Sequence, residues 1–147
     1  MQLTQRVTVS LRQQQGYNFQ VDWGLANAPP GTVDEPPPIG GGAGPNAARL
    51  VAAAVAHCLA SSLLFCLEKS HVAGTTISAS VEAEIQRNDK GRWRLAHLTV
   101  TLDPKVPAGT REQLSRCREI FEDYCIVTES IRHGIPVDVK WVENPVG

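Results

Sequence analysis

The chain has 147 residues, 20% of them charged, and a formal net charge of -1. Balanced charge without a basic run excludes the electrostatic footprint of a nucleic-acid binder. The length suits one domain, read here as 1–147. The N-terminal stretch has no apolar core of signal-peptide length. A cytoplasmic location is therefore expected, where cysteines default to reduced thiols.

Leu3, Val7, Val9 and Leu11 share one parity, and Tyr17, Phe19, Val21 and Trp23 alternate again after Gln13-Gln14-Gln15-Gly16. That pattern predicts an antiparallel hairpin. Residues 26–46 concentrate proline and glycine and read as a loop. Asn46 is placed to cap a helix from about Ala47 to about Ser70. Its centre, Leu50 to Leu67, carries no charge, which approaches the ~17 residues that cross a bilayer. Five alanines, His57, two serines and two cysteines dilute that apolarity. The reading is a helix buried inside a fold, with no membrane partner.

Val72 to Ile85 and Trp93 to Leu102 are strands joined by Asn88-Asp89-Lys90-Gly91 turn chemistry, and Asp103-Pro104 breaks the second. Thr110 and Gln113 have capping-box spacing. Leu114, Cys117, Ile120, Phe121 and Tyr124 then mark one face of a second helix, kinked or straight, reaching about His133. Gly134 stops it, and Val137, Val139 and Trp141 alternate as a final strand. The fold class is α+β: antiparallel strands around a long central helix and a second helix.

Cys58 and Cys66 are eight residues apart, or ~12 Å along a helix. A disulfide needs Cα atoms within about 7 Å. Any bond must join one helix to the other; four cysteines allow three connectivities, and the sequence does not say which pair bonds. No paired Cys or His ligands at zinc spacing occur, so no metal is expected. Cys66 and Cys117, among apolar neighbours, read as inert buried hydrophobes, and Cys66→Ser is expected to be nearly silent.

Gly42-Ala43-Gly44-Pro45-Asn46, then Leu50 through Cys58, resembles the OsmC/Ohr motif of a glycine-rich entry, an alanine-rich helix and a cysteine. Cys125 through Ile131, with Gly134-Ile135-Pro136-Val137, resembles the family's second cysteine motif. The chain looks closest to the branch carrying Asp-Glu-Pro-Pro-Pro, here 34–38, before the helix. The resemblance implies an OsmC-like fold in an intertwined homodimer, with sites at the interface. It implies thiol-dependent reduction of alkyl or lipid hydroperoxides in oxidative-stress defence. Cys58 would be the attacking thiol and Cys125 the resolving one. A cellular dithiol, such as a lipoylated protein, would reduce the product, and no bound cofactor is needed.

Ala47-Ala48 stands where peroxidase members carry a Glu, and Glu35 is a substitute to consider. Arg12 and Arg49 are candidate partners for Cys58, each read first as a surface charge. His57 reads as a core or interface histidine. Ile126 follows the second cysteine where Pro is frequent. Cys58 lies about three turns inside its helix, beyond the reach of that helix's own dipole, so a nearby cation is expected to hold its thiolate. The rival reading is a binding module for a hydrophobic small molecule, with the cysteines as redox sensors or lining.

Overall fold

A computed structural model describes residues 3–143. The chain divides into two compact units. One holds the chain up to Ala53 together with Val81–Thr99; the other holds Ala54–Ser80 and the chain from Val100 onward. The observed element order is three strands, a long helix, two strands, and a run of two α-helices separated by a 3-10 turn.

In the first unit, β1 (Ser10–Gln15) pairs antiparallel with β2 (Asn18–Asp22). The link is tighter than the sequence predicts. Gln13 to Gln15 belong to the strand, and Gly16, at φ 58°, makes the turn with Tyr17. Only glycine takes that backbone region without a Cβ penalty. The alternation at 3–9 forms no strand, because β2 spends its pairing on Ser10 to Gln15.

The proline-rich loop also departs from expectation. It contains β3 (Gly31–Val33), which pairs with the other edge of β2, Phe19 opposite Val33. A side chain at Gly31 would collide with the Trp23 ring. Beyond β3 the loop is organised by buried Asp34. Its carboxylate accepts the backbone N–H groups of Glu35 (2.8 Å), Gly41 (3.2 Å) and Ala43 (3.1 Å). Asp34→Ala leaves these donors unpaired in a half-buried setting, and is expected to cost about 2 kcal/mol of stability. Urea denaturation measures this; an unchanged midpoint would show that water replaces the carboxylate.

Helix α1 runs Ala47–Lys69. Asn46 caps it as predicted, accepting the Arg49 N–H at 3.2 Å, and Lys69 sits in the last turn, where a cation favours the dipole. Its end is a Schellman closure. The Val72 N–H reaches the Leu67 carbonyl (2.9 Å) and the His71 N–H the Glu68 carbonyl (3.0 Å). His71 takes the left-handed backbone, φ 63°, usually reserved for glycine.

The expectation of a fully buried helix is corrected. Val55, Leu59, Leu63 and Leu67, at four-residue steps, form one buried stripe. Leu64 and Phe65 lie exposed on the chain's surface. The helix is long and apolar enough to cross a membrane, with 22% of its most apolar window buried. One chain offers this helix too little partner surface to cover its whole circumference.

Strands β4 (Thr76–Arg87) and β5 (Trp93–Lys105) form a two-stranded sheet. Asn88 makes the turn, its Oδ1 accepting the Lys90 and Arg92 N–H groups at 3.0 Å each. β5 continues through Asp103-Pro104, which were expected to end it. In a sheet of two strands each has a free edge, where proline's missing N–H costs nothing.

The second helical region is three pieces: α2 (Arg111–Ile120), a 3-10 turn (Phe121–Tyr124) and α3 (Ile126–His133). Thr110 makes no capping bond; its hydroxyl instead donates to the Pro107 carbonyl at 2.6 Å. Gly134 terminates α3 at φ 81°, as expected. The final strand does not form. Val137, Val139 and Trp141 are exposed, and this segment has no ladder partner among the described residues. Alternation alone cannot make a strand.

Candidate functional site: paired thiols on two helices

All four cysteines lie in the second unit. Cys58 is carried on α1 one residue before buried Leu59 and is itself half-buried. Cys125 is fully buried at the break between the 3-10 turn and α3. Its backbone is extended, φ -81° and ψ 101°, which makes it the N-cap residue of α3. The structure thus brings Cys58 to the start of the helix that Cys125 caps, uniting the two cysteines that the sequence singles out.

The first turn of α3 supplies unpaired backbone donors, as every helix start does. The Val127 N–H meets Cys58 Sγ at 3.4 Å. Cys125 Sγ lies 2.9 Å from Thr128 Oγ1. Burial raises the Cys58 pKa. The Cys125 thiol and the N–H groups of Val127, Thr128 and Ile126 lower it, and together they outweigh burial, so the thiol sits below its ordinary value. Cys125 moves the other way. Burial raises its pKa, its bond to Cys58 raises it further, and Thr128 offsets part of the rise. The two shifts diverge, so of the pair Cys58 gives up its proton at the lower pH.

The expected cation is replaced by neutral donors. No Lys or Arg is among the groups that shift Cys58. The sequence reading considered only the dipole of Cys58's own helix and missed the helix that starts beside it. Arg49 folds back on its helix cap, 3.4 Å from Asn46 Oδ1, and Arg12 is exposed on β1. Glu35 helps close the proline-rich loop, its carbonyl accepting the Gly42 N–H at 3.0 Å. His57 is exposed rather than in the core, with Nε2 3.3 Å from Ser61 Oγ. On a helix, the residue next to Cys58 turns away from the face that meets Cys125.

Cys66 and Cys117 correct the expectation of inert thiols. They form a disulfide between α1 and α2, with Cα atoms 5.8 Å apart. Ser70 Oγ lies 3.8 Å from Cys117 Sγ. The bond joins Cys66 on α1 to Cys117, the buried residue of the otherwise polar α2, across 51 residues of sequence.

These features define an α+β protein with two free cysteines at the start of one helix and one bonded pair. The chain belongs to the OsmC-like protein family, whose pattern matches residues 40–140. Among solved structures, an OsmC-like protein of unknown function from Vibrio cholerae aligns with TM-score 0.70 at 12% identity, over 86% of this chain and 94% of that one. An organic hydroperoxide resistance protein from Elizabethkingia anophelis aligns with TM-score 0.60 at 24% identity, over 90% and 91%. Another from Bacillus subtilis gives 0.58 at 18%, over 86% and 90%. At these identities the likeness is one of fold. No curated protein matches the chain.

Proposed function

We propose that the chain is a cysteine peroxidase that reduces alkyl or lipid hydroperoxides, with Cys58 attacking and Cys125 resolving. The observation that carries this reading is the placement of Cys58 Sγ on the Val127 N–H, in the first turn of the helix that buried Cys125 caps, with the Cys58 pKa lowered and the Cys125 pKa raised. The hydroperoxide resistance proteins among its structural relatives support it.

The Cys58 thiolate displaces an alkoxide from the terminal oxygen of the hydroperoxide and becomes a sulfenic acid. The alkoxide takes the Cys125 proton and leaves as the alcohol. The new Cys125 thiolate attacks the Cys58 sulfur, forming the disulfide and expelling hydroxide, which solvent protonates. A cellular dithiol then reduces the bond in two exchange steps and becomes a disulfide itself. No bound cofactor takes part, and dependence on a dithiol places the reaction in the cytoplasm. Exposed Leu64 and Phe65 support a homodimer that covers them.

One equivalent of cumene hydroperoxide, followed by thiol blocking and peptide mapping, tests the assignment. A Cys58–Cys125 disulfide forming in seconds is the expected result. Slow, scattered oxidation overturns it in favour of a binding module. Thr128→Val provides a finer check. It removes an interaction that eases ionisation of Cys125, so disulfide formation slows about threefold, the worth of one modest hydrogen bond. Sulfenic acid formation at Cys58 stays unchanged, and stopped-flow traces separate the two steps.

A further inference from the structure

We propose that Cys66–Cys117 is a redox-operated clip that sets the resolving step, a positioning device resting on the peroxidase reading above. The bond anchors α2 to α1 at Cys117, which is wholly buried. From that anchor only eight residues lead to Cys125. They pass through the last turn of α2 and the 3-10 turn to an extended residue, a run with two breaks in its helical ladder. Besides the packing of buried Phe121, the ion pair that ties this run among the described residues is Arg132 to Glu122 at 2.6 Å, with both side chains about half exposed. An exposed ion pair of that kind holds little. The covalent bond is therefore what fixes the level at which α3 presents Cys125 and its N–H groups to Cys58.

Cys66 is half-buried, so a reagent reaches the bond from its side. A dithiol opens the clip by two exchange steps, giving two thiols while its own sulfurs join. A hydroperoxide closes it: the two thiols give up two electrons and two protons, and the peroxide becomes alcohol and water. With the clip open, Cys125 loses its fixed position and Cys58 sulfenic acid persists long enough to meet a second peroxide. The clip thus commits the enzyme to fast resolution under oxidising conditions and allows over-oxidation under reducing ones.

The test compares two forms of the full chain. One is wild type mapped as holding the Cys66–Cys117 bond with Cys58 and Cys125 free; the other is the double variant Cys66→Ala, Cys117→Ala. Trapping by dimedone reads sulfenic acid formation, which is expected to slow about threefold as the α3 donors withdraw, while Cys58–Cys125 disulfide formation slows about tenfold or more, the scale of a small misplacement of reacting groups. Sulfinic acid at Cys58 under excess peroxide rises in parallel. Equal rates of disulfide formation in the two forms would overturn the clip. If Cys58 takes up no peroxide in either form, the peroxidase reading fails instead. The clip is then judged by iodoacetamide labelling of buried Cys125, which proceeds about fivefold faster with the clip absent if local opening is governed by it. Equal labelling rejects it.

Discussion

Cys58→Ser reduces hydroperoxide consumption to the uncatalysed background, because a serine hydroxyl at the same place has no thiolate to offer. Cys125→Ser leaves the first oxidation of Cys58 intact and stops the disulfide. The pH profile carries the mechanism further. The Cys58 pKa is lowered, so its thiolate, the reactive form, predominates from a lower pH than it would at an unshifted thiol pKa. The rising limb of the initial oxidation rate is expected on the acid side of that value, with a plateau above it.

Ile126→Pro tests the cause. The substitution deletes one of the N–H groups aimed at Cys58 while leaving the helix intact. Proline suits the first helical position, Cys125 already has the extended backbone that precedes a proline, and the Ile126 side chain is 79% exposed, so little burial is lost. The rising limb should move toward higher pH, and the rate at neutral pH should fall about threefold, the effect of one hydrogen bond to a charged group shared among several. An unmoved limb means that the α3 donors do not hold the thiolate.

This donor cluster also bears on the absent carboxylate. Ala47 and Ala48 stand where peroxidase members of the family place a Glu that partners an Arg. A thiolate held by backbone N–H groups needs neither. Ile126, where relatives often carry proline, adds the donor that proline lacks.

Much of the local architecture was legible because its causes are local. Asn46 at a helix start, Asn88 in a tight turn and Gly134 after a helix each act within a few residues, and each acts as read. What escaped depended on partners. β3 is three residues in a proline-rich stretch, and only the free edge of β2 makes it a strand. Val137 to Trp141 alternate correctly and remain without a ladder for the converse reason. The disulfide escaped because Cys66 and Cys117 were read from their apolar neighbours in sequence, although a signal was present. Cys58 to Cys66 and Cys117 to Cys125 have the same eight-residue spacing. If two helical runs pass in opposite directions, matching Cys58 to Cys125 places Cys66 opposite Cys117. That is the pairing observed.

The same bond gives the second large expected effect, on stability. Reduction of Cys66–Cys117 frees a loop spanning 51 residues in the unfolded chain. Loop-closure entropy for that length is worth about 4 kcal/mol. At about 3 °C per kcal/mol for a chain of this size, the melting midpoint should fall by about 12 °C. Calorimetry on Cys58→Ser, with and without reductant, isolates the effect, since no Cys58–Cys125 bond can form there. The reduced form should also show the steeper loss at α2, because Cys117 is its one fully buried residue. Hydrogen exchange then finds α2 and the 3-10 turn opening before α1, whose Leu59, Leu63 and Leu67 keep their own burial. Coincident melting curves would mean that packing alone holds the two helices at this level. In that case the bond constrains neither the unfolded chain nor the approach of Cys125, and the matched spacing of the cysteines has no energetic consequence.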